Sequence, residues 1–203
     1  MSSQTVDEPR PDVSSAQPVS ERDLITAAKV DPAAFAQLYD SYIDRVYGFV
    51  RRRTTEDAVA EDITALAFEK ALRALPGYEL RGVSFGAWLY RIARNELISY
   101  QRKQRWFTFL RPDHASPLNL DWLVERNEEV AELRQALVKL SAADQELLAL
   151  RFFEELSNAE IAAVLACSVD NVYLRLHRAL KRLATAYNTL HPVASGEKIH
   201  VLE

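Results

Sequence analysis

Long cationic side chains recur on one side of a predicted helix near the C-terminal end of the sequence. At about 100° per residue, an apolar face about 80° wide is formed by Val169, Val172, Leu176, Leu180 and Leu183. The far side carries Asn171, Arg175, Arg178 and Arg182, with Leu174 and Lys181 at its margin. Guanidinium groups bind phosphates and base edges in a major groove, so this face indicates nucleic-acid binding. A solvated basic face on an ordinary helical hairpin is the alternative.

The elements before this helix favour the nucleic-acid interpretation. A serine followed three residues later by an acid, a pattern that starts helices, occurs at Ser141 and again at Ser157. The helix that follows Ser141 is predicted to end near Phe153, and residues 166–168 form the turn after the helix that follows Ser157. Ser168 can then cap the basic helix. A short turn between two helices is the arrangement of a DNA-binding helix-turn-helix.

A second basic helix is predicted in the first half of the chain. Its apolar and aromatic side contains Phe85, Trp88, Leu89 and Ile92. A separate arc of about 80° contains Arg91, Arg94, Arg102 and Arg105. Such cations supply the sequence-independent part of DNA affinity, and aromatic faces stack on exposed bases. Core packing is the alternative for Phe85 and Trp88.

Composition limits the fold and the class of protein. The 203 residues include only 5 glycines, with 48% hydrophobic and 27% charged residues, which favours helices over a turn-rich β-fold. A net charge of -4 gives no whole-chain signal for nucleic-acid binding, so that signal is local. The single cysteine, Cys167, leaves no disulfide or paired-cysteine metal site. With no predicted leader or membrane-spanning segment, we expect a soluble, cytoplasmic protein without metal or cofactor.

The chain is predicted to be all-α, with two small helical domains joined by a flexible linker. Residues rich in Ser, Pro, Gln and acids predict a disordered N-terminal tail, and Pro-containing polar segments separate the two stretches with helical periodicity. The predicted units are an N-terminal tail at 1–22, a first domain at 23–106, a linker at 107–127, a second domain at 128–190 and a C-terminal tail at 191–203.

The second domain resembles a known family. The run from Leu140 to Ser157, continued through Glu160-Ile161-Ala162 to Arg175–Ala179, is similar to region 4 of sigma-70 family RNA polymerase sigma factors, in particular the extracytoplasmic-function (ECF) group. The resemblance implies binding to the minus-thirty-five promoter element and to the polymerase β flap. It implies DNA contacts at Ser168, Asp170, Asn171, Tyr173, Leu174, Arg175, Arg178, Lys181 and Arg182. Ala166 stands where the family often has glycine, and packing is the alternative for Tyr173.

The first domain resembles region 2 of the same family. Residues 57–64, leading into 68–72, look like region 2.2, which docks on the clamp helices of the polymerase β′ subunit. This resemblance implies polymerase contacts at Glu61, Asp62 and Glu69. Ala65-Leu66 replaces a Gln-Glu pair that is frequent in the family. An amphipathic core helix with its acids in solvent is the alternative.

Residues 85–95 are similar to the aromatic and basic region 2.3, which runs on into region 2.4, and 75–85 lie where the family captures a flipped base of the minus-ten element. The resemblance implies melting and single-strand contacts at Tyr78, Arg81, Phe85, Trp88, Arg91, Arg94, Asn95, Arg102 and Arg105. In the linker, Asp113, Asp121 and Glu125 are expected to mimic RNA charge near the polymerase active site.

The implied function is that of an ECF sigma factor, which binds core polymerase and promoter DNA in duplex and single-stranded form and initiates transcription. Such factors are commonly held inactive by an anti-sigma protein. The alternative is a helix-turn-helix repressor or activator that does not dock on polymerase, although the first domain shows no pattern of a ligand-binding or receiver domain. An enzyme has no support, because no catalytic or metal motif includes His114, His177, His191 or His200.

Overall fold

The computed structural model describes residues 20–79, 82–107 and 128–190. These residues form eight α-helices and one short 3-10 turn, and no strand occurs among them. The helices are α1 Glu21–Ala28, α2 Pro32–Arg51, α3 Asp57–Ala74, α4 Phe85–Phe107, α5 Glu128–Val138, α6 Ala142–Phe152, α7 Asn158–Leu165 and α8 Val169–Leu190. The predicted all-α fold is therefore confirmed.

The predicted N-terminal tail ends earlier than expected. Helix α1 begins at Glu21, two residues before the predicted start of the first domain, because the Ser20 hydroxyl accepts a hydrogen bond from the Asp23 N–H. Residues 1–19, the predicted linker after Phe107 and the predicted C-terminal tail from 191 onwards lie outside the described residues.

Helices α1 to α4 form the first domain. Asp31 caps α2 and Pro32 occupies its first turn, where the missing N–H has no intrahelical partner to lose. The C-terminal end of α2 buries Phe49, whose ring packs edge-on against Tyr90 of α4 with a centroid separation of 5.2 Å. Helix α3 completes the core with Ile63 and Phe68.

In the described part of the segment between α3 and α4, Tyr78 is held by a hydrogen bond from a residue of α1. The 3-10 turn Leu75–Gly77 ends at Tyr78, whose carbonyl oxygen accepts a 2.6 Å hydrogen bond from Lys29 Nζ of α1. Gly82 has a φ of 71°, a left-handed conformation that glycine adopts without strain. These contacts position the aromatic residues at the start of α4.

Helices α5 to α8 form the second domain, and its local signals act as predicted. Ser141 and Ser157 cap α6 and α7, and Glu160 completes a capping box at Ser157. Ser168 accepts a 3.2 Å hydrogen bond from the Asn171 N–H at the start of α8. The helix-turn-helix geometry thus follows from side chains within the segment itself.

The predicted apolar face of α8 is wrong at its first residue. Val172 is fully buried, and Leu176, Leu180 and Leu183 pack against the core, but Val169 is 48% exposed. Val169 begins the helix, and α8 becomes buried only from Val172, one turn later.

The two domains pack against each other through α4 and α7. A continuous cluster of buried side chains extends from Phe49 and Tyr90 in the first domain to Leu150 and Ile161 in the second. Within the described ranges, every helix is too short or too polar to cross a lipid bilayer.

Candidate nucleic-acid interface

Helix α8 presents a basic surface to solvent. Asn171, Arg178 and Lys181 are exposed, and Arg175 is half-buried at the edge of the same surface. A cleft of about 800 Å³ adjoins it. Its lining includes Lys139, Ser141, Arg178, Lys181 and Arg182. The predicted cationic donors of α8 therefore share one accessible face, which can bind phosphate groups.

Arg182 is also held by an ion pair. Its Nη1 donates to both carboxylate oxygens of Asp144, at 3.0 and 2.8 Å. Asp144 lies buried in the first turn of α6, where the helix dipole stabilises a carboxylate. Arg182 is therefore both a candidate DNA contact and a residue that ties α8 to α6.

The other predicted residues at the start of α8 are accessible. Tyr173 is 70% exposed, so the alternative that it packs in the core is wrong. Leu174 and Asp170 are also exposed. Ser168 is exposed as well, and its hydroxyl oxygen caps the helix, so its contribution includes positioning α8.

Phe85 cannot be a direct DNA contact in this structure. Its side chain is 0% exposed and lies among three aromatic rings, with centroids 5.4 Å away in Tyr42, 5.9 Å in Tyr78 and 5.4 Å in Trp88. The expectation of base contact at Phe85 is corrected, because the first turn of α4 faces the domain core. Core packing holds for this residue.

A small cavity lies beside this aromatic cluster. Its volume is about 440 Å³, and it is lined by Gly77, Tyr78, Glu79, Val83, Trp88, Arg91 and Ala163. The Tyr78 and Trp88 rings are 4.6 Å apart between centroids and tilted by 39°. Aromatic faces beside a guanidinium group can hold an unstacked base.

Tyr78 is largely buried at the edge of this cavity. Its hydroxyl donates a 3.2 Å hydrogen bond to the Val83 carbonyl oxygen. Burial, with a smaller effect from the negative charge of Glu21, raises the pKa of Tyr78, so the hydroxyl stays protonated. Arg81, predicted to complete the pocket with Tyr78, lies outside the described residues.

The basic residues of α4 are divided between two environments. Arg91, Asn95 and Arg102 are exposed. Arg94 is half-buried, and its Nε and Nη2 donate to the two carboxylate oxygens of Glu146 at 2.8 and 3.0 Å. The side chain of Arg105 lies outside the described part of the chain. The predicted phosphate-binding arc is therefore partly occupied by an acid of the second domain.

The predicted polymerase contacts lie on the outer side of α3. Glu61, Asp62 and Glu69 are all exposed, and Glu69 pairs with Arg73 one turn later. Leu66, at one of the two positions where a polar pair is frequent, is 44% exposed. This surface combines acids with an exposed apolar side chain.

Sequence patterns did not identify the residues that join the two domains. Glu154, in the turn after α6, is buried against the first domain, where its carboxylate accepts hydrogen bonds from Arg52 and Tyr90. In the sequence, Glu154 is simply an acid beside a short turn, and acids in turns are normally solvated, so nothing there indicates an interdomain contact. Glu160 was identified as a helix cap, and the structure adds a hydrogen bond to it from Ser84 Oγ.

Next to this interface, Arg53 is buried and its guanidinium lies 3.9 Å from the centroid of the Phe49 ring. Burial, partly offset by the charges of Glu146 and Glu154, lowers the pKa of Arg53 to about 10. Arg53 Nη1 also donates a 2.7 Å hydrogen bond to the Phe49 carbonyl oxygen. The side of the first domain that faces the second is therefore rich in positive charge.

No group of His, Cys, Asp and Glu among the residues with described positions could hold a metal ion. The site consists of cationic, aromatic and polar side chains on α4, α8 and the loop before α4. Such a set can bind a charged polymer and unstacked bases without covalent chemistry.

Comparison with known proteins matches both domains to one family. Residues 38–107 match sigma-70 region 2, and residues 131–183 match sigma-70 region 4. The ECF RNA polymerase sigma factor BldN of Streptomyces coelicolor is 33% identical over 80% of this chain, which spans 64% of BldN. RNA polymerase sigma factor YlaC of Bacillus subtilis is 32% identical, over 70% of this chain and 85% of YlaC.

The arrangement of helices is also similar to a solved structure. CnrH, determined in complex with the cytosolic domain of CnrY, superposes with a TM-score of 0.61 and 25% identity. The superposition covers 83% of this chain and 97% of CnrH.

Proposed function

Because the chain belongs to the extracytoplasmic-function group of sigma-70 family RNA polymerase sigma factors, we propose that it directs core RNA polymerase to specific promoters and helps to open them. The observation that supports this proposal is the presence on one chain of two different surfaces whose chemistry suits DNA. One is the exposed basic face of a helix-turn-helix, and the other is an aromatic cavity beside a basic helix. No catalytic residue of the chain's own is needed for this role.

In this proposal, α8 binds the minus-thirty-five element. Asn171 and Arg178 are exposed donors on the helix, and both side-chain types form bidentate hydrogen bonds with base edges in the major groove. Lys181 and Lys139 then hold the flanking phosphates. The second domain, proposed to span 128–190, also contacts the polymerase β flap.

The first domain, proposed to span 23–106, captures the melted minus-ten strand. Unstacking a base costs roughly a few kcal/mol, and new contacts to that base must offset this cost. The cavity between Tyr78, Trp88 and Arg91 supplies aromatic surface and a positive charge for it. Arg102, exposed further along α4, binds the strand backbone.

Docking on polymerase is assigned to α3. Glu61 and Asp62 lie adjacent and exposed on it, so their carboxylates are free of the domain core. They are proposed to bind the β′ clamp helices, with Glu69 as a further contact. The apolar side chain of Leu66 adds buried area to that interface.

An inhibitor is the second proposed protein partner. CnrH, the structural neighbour, was solved in complex with the cytosolic domain of CnrY, and a second neighbour, RpoE of Bartonella quintana, with the anti-sigma factor NepR. We infer a comparable anti-sigma protein for this chain. We also expect the chain to act in the cytoplasm, because its polymerase and promoter partners are there.

The first experiment is run-off transcription from a pooled promoter library with purified bacterial core polymerase, with and without the protein. Discrete new start sites that share two spaced motifs are expected. If no start site appears while the protein still binds duplex DNA, the proposal is wrong and a repressor or activator replaces it.

The cavity is tested on the same templates with Arg91→Ala. This exposed residue lines the cavity without supporting the core, so the loss of its charge is expected to reduce open-complex formation while the protein stays folded. Arg22→Ala, an exposed arginine on α1, is the matched control and is expected to behave as wild type. Equal activity of both variants would remove the cavity from the mechanism.

A further inference from the structure

Three glutamates of the second domain contact the basic side of the first. Glu146 lies on α6, Glu154 in the turn that follows, and Glu160 in the first turn of α7. Their partners in the first domain are Arg45, Arg52, Ser84, Tyr90 and Arg94. The positive and negative charges of this interface come from different domains, so their attraction holds the domains together.

Glu154 is the most deeply buried of the three. Its side chain is 3% exposed. One carboxylate oxygen accepts a hydrogen bond from Arg52 Nη2, and the other accepts a 2.7 Å bond from the Tyr90 hydroxyl. The Glu154 carbonyl oxygen also accepts from Arg45 Nη2, at 3.3 Å. Each oxygen of this residue therefore has a donor from the first domain.

The Glu146 carboxylate binds the Arg94 guanidinium in the same geometry that a phosphate group would use. Its two oxygens bind Nε and Nη2 of Arg94 side by side, and the side chains are only 22% and 13% exposed. Arginine binds carboxylate and phosphate through the same planar pair of N–H groups. Glu146 and a DNA phosphate therefore cannot bind these two N–H groups of Arg94 at the same time.

Helix α7 also reaches the aromatic cavity. Ala163 of α7 forms part of the wall of the cavity that Tyr78, Trp88 and Arg91 also line. At the start of α7, Glu160 accepts a hydrogen bond from Ser84, the residue just before α4. The second domain thus binds Arg94 on the basic side of α4 and contributes to the wall of the proposed base-binding cavity.

We propose that Glu146, Glu154 and Glu160 form an intramolecular acidic surface that competes with nucleic acid for the first domain and holds the free protein closed. This inference rests on the proposed function, since it assigns the covered surface to DNA. The desolvation of buried ion pairs offsets much of their attraction. Such an interface can therefore open when polymerase or DNA offers the same arginines other partners.

The test uses the full chain and two measurements. Small-angle X-ray scattering reports the radius of gyration, and fluorescence anisotropy reports the binding of a short fluorescein-labelled single-stranded DNA of random sequence. The test variant is Glu146→Gln combined with Glu154→Gln. The matched control is Glu155→Gln, since Glu155 is the exposed neighbour of Glu154.

We expect the double variant to have a larger radius of gyration and to bind the DNA more tightly, on the order of tenfold if the wild type is open about one tenth of the time. Glu155→Gln is expected to change neither quantity. Wild-type radius and affinity in the double variant would overturn the inference. An equal gain of affinity in the control would also overturn it, since net charge alone would then explain the effect.

A more conservative variant keeps the test valid if the double variant does not fold. Tyr90→Phe keeps the ring that packs on Phe49 and removes only the hydroxyl that donates to Glu154. It is expected to shift radius and affinity in the same direction by a smaller factor, with circular dichroism unchanged. No shift in a folded Tyr90→Phe, beside an unfolded double variant, would contradict the closed state.

Transcription with core polymerase separates this inference from the proposed function. If wild-type protein initiates transcription but no variant changes radius or affinity, the sigma-factor role stands and the acidic surface is wrong. If the variants open and bind DNA more tightly while no promoter is transcribed, the closed state stands and the proposed function fails.

Discussion

Helices α4 and α8 have similar basic arcs in the sequence but different surroundings in the structure. Helix α8 exposes Arg178 and Lys181 to solvent beside an open cleft. Helix α4 lies between its own domain and the second domain; Glu146 of α6 binds Arg94, and Phe85 in the first turn of α4 is buried. A basic arc therefore predicts which side chains can bind phosphate, whereas packing decides which of them are accessible.

The largest expected effect tests the buried end of α4. Phe85→Ala removes a fully buried ring from a cluster with Tyr42, Tyr78 and Trp88, and is expected to lower the free energy of unfolding by about 3–5 kcal/mol. Urea denaturation measures it. Phe152→Ala, at an exposed phenylalanine, is the control and is expected to cost far less. If Phe85→Ala keeps wild-type stability but no longer binds single-stranded DNA, Phe85 contacts DNA directly.

The second effect compares the two basic arcs directly. Arg178→Ala is expected to weaken binding of the promoter duplex by about 1–3 kcal/mol, because this exposed guanidinium is available to the major groove. Arg94→Ala is expected to cost under about 1 kcal/mol in the free protein, because Glu146 already holds its guanidinium. Anisotropy titrations with a duplex from the promoter library measure both, and equal losses would contradict the difference in accessibility.

A smaller effect on the melting temperature is expected from substitutions at two left-handed backbone positions, one in each domain. Ala166 ends α7 with a φ of 52°, a conformation that strains alanine. Ala166→Gly is expected to raise the melting temperature by about 2–4 °C, which is about 1 kcal/mol for a chain of this size. Thermal denaturation followed by circular dichroism measures it.

Gly82→Ala is the mirror experiment in the first domain. Gly82 has a φ of 71°, and an added Cβ would meet no atom within 4 Å, so the cost arises from the backbone alone. It is expected to lower the melting temperature by a similar amount. If both substitutions act in the same direction, backbone strain is not the cause.

The smallest effect is the pH dependence at Glu160. Burial pushes the pKa of Glu160 upward, but hydrogen bonds from Ser84 and Ser157 and the charge of Arg45 outweigh it, so the pKa is lowered. A carboxyl group with a lowered pKa in the folded state adds stability above the usual glutamate range of about 4.3. That stability is lost as the pH falls toward the lowered value.

Glu160→Gln is therefore expected to melt slightly below wild type at neutral pH and to converge with it as the pH falls below about 4. The change is small because glutamine can also serve at this position of a capping box. Melting curves across that range measure it, with Glu155→Gln as the control. A constant difference at every pH would show that the charge of Glu160 is not involved.

The local elements could be predicted because their causes lie within a few residues. Ser141, Ser157 and Ser168 accept hydrogen bonds from N–H groups three residues later, so the caps and the helix-turn-helix follow from short sequence patterns. Helical periodicity likewise identified the buried side of α8 from Val172 onwards.

Helical periodicity did not predict whether a side chain on the apolar side of a helix is buried by a neighbouring helix or exposed. Phe85 lies on an amphipathic helix whether its ring packs in the core or protrudes, and Val169 continues an apolar stripe beyond the point where α8 is covered. In both cases the angle on the helix is correct, but burial depends on the position of other helices. Local pattern carries no information about that position.

The sequence by itself determined the all-α fold, the caps and the residues able to bind phosphate, because hydrogen bonds and periodicity within each segment specify them. Only the tertiary structure decided that Glu146, Glu154 and Glu160 face the first domain, since their partners lie 52, 64 and 76 residues away along the chain. The charge of a glutamate is set by its own chemistry, but its neighbours are set by how the helices pack.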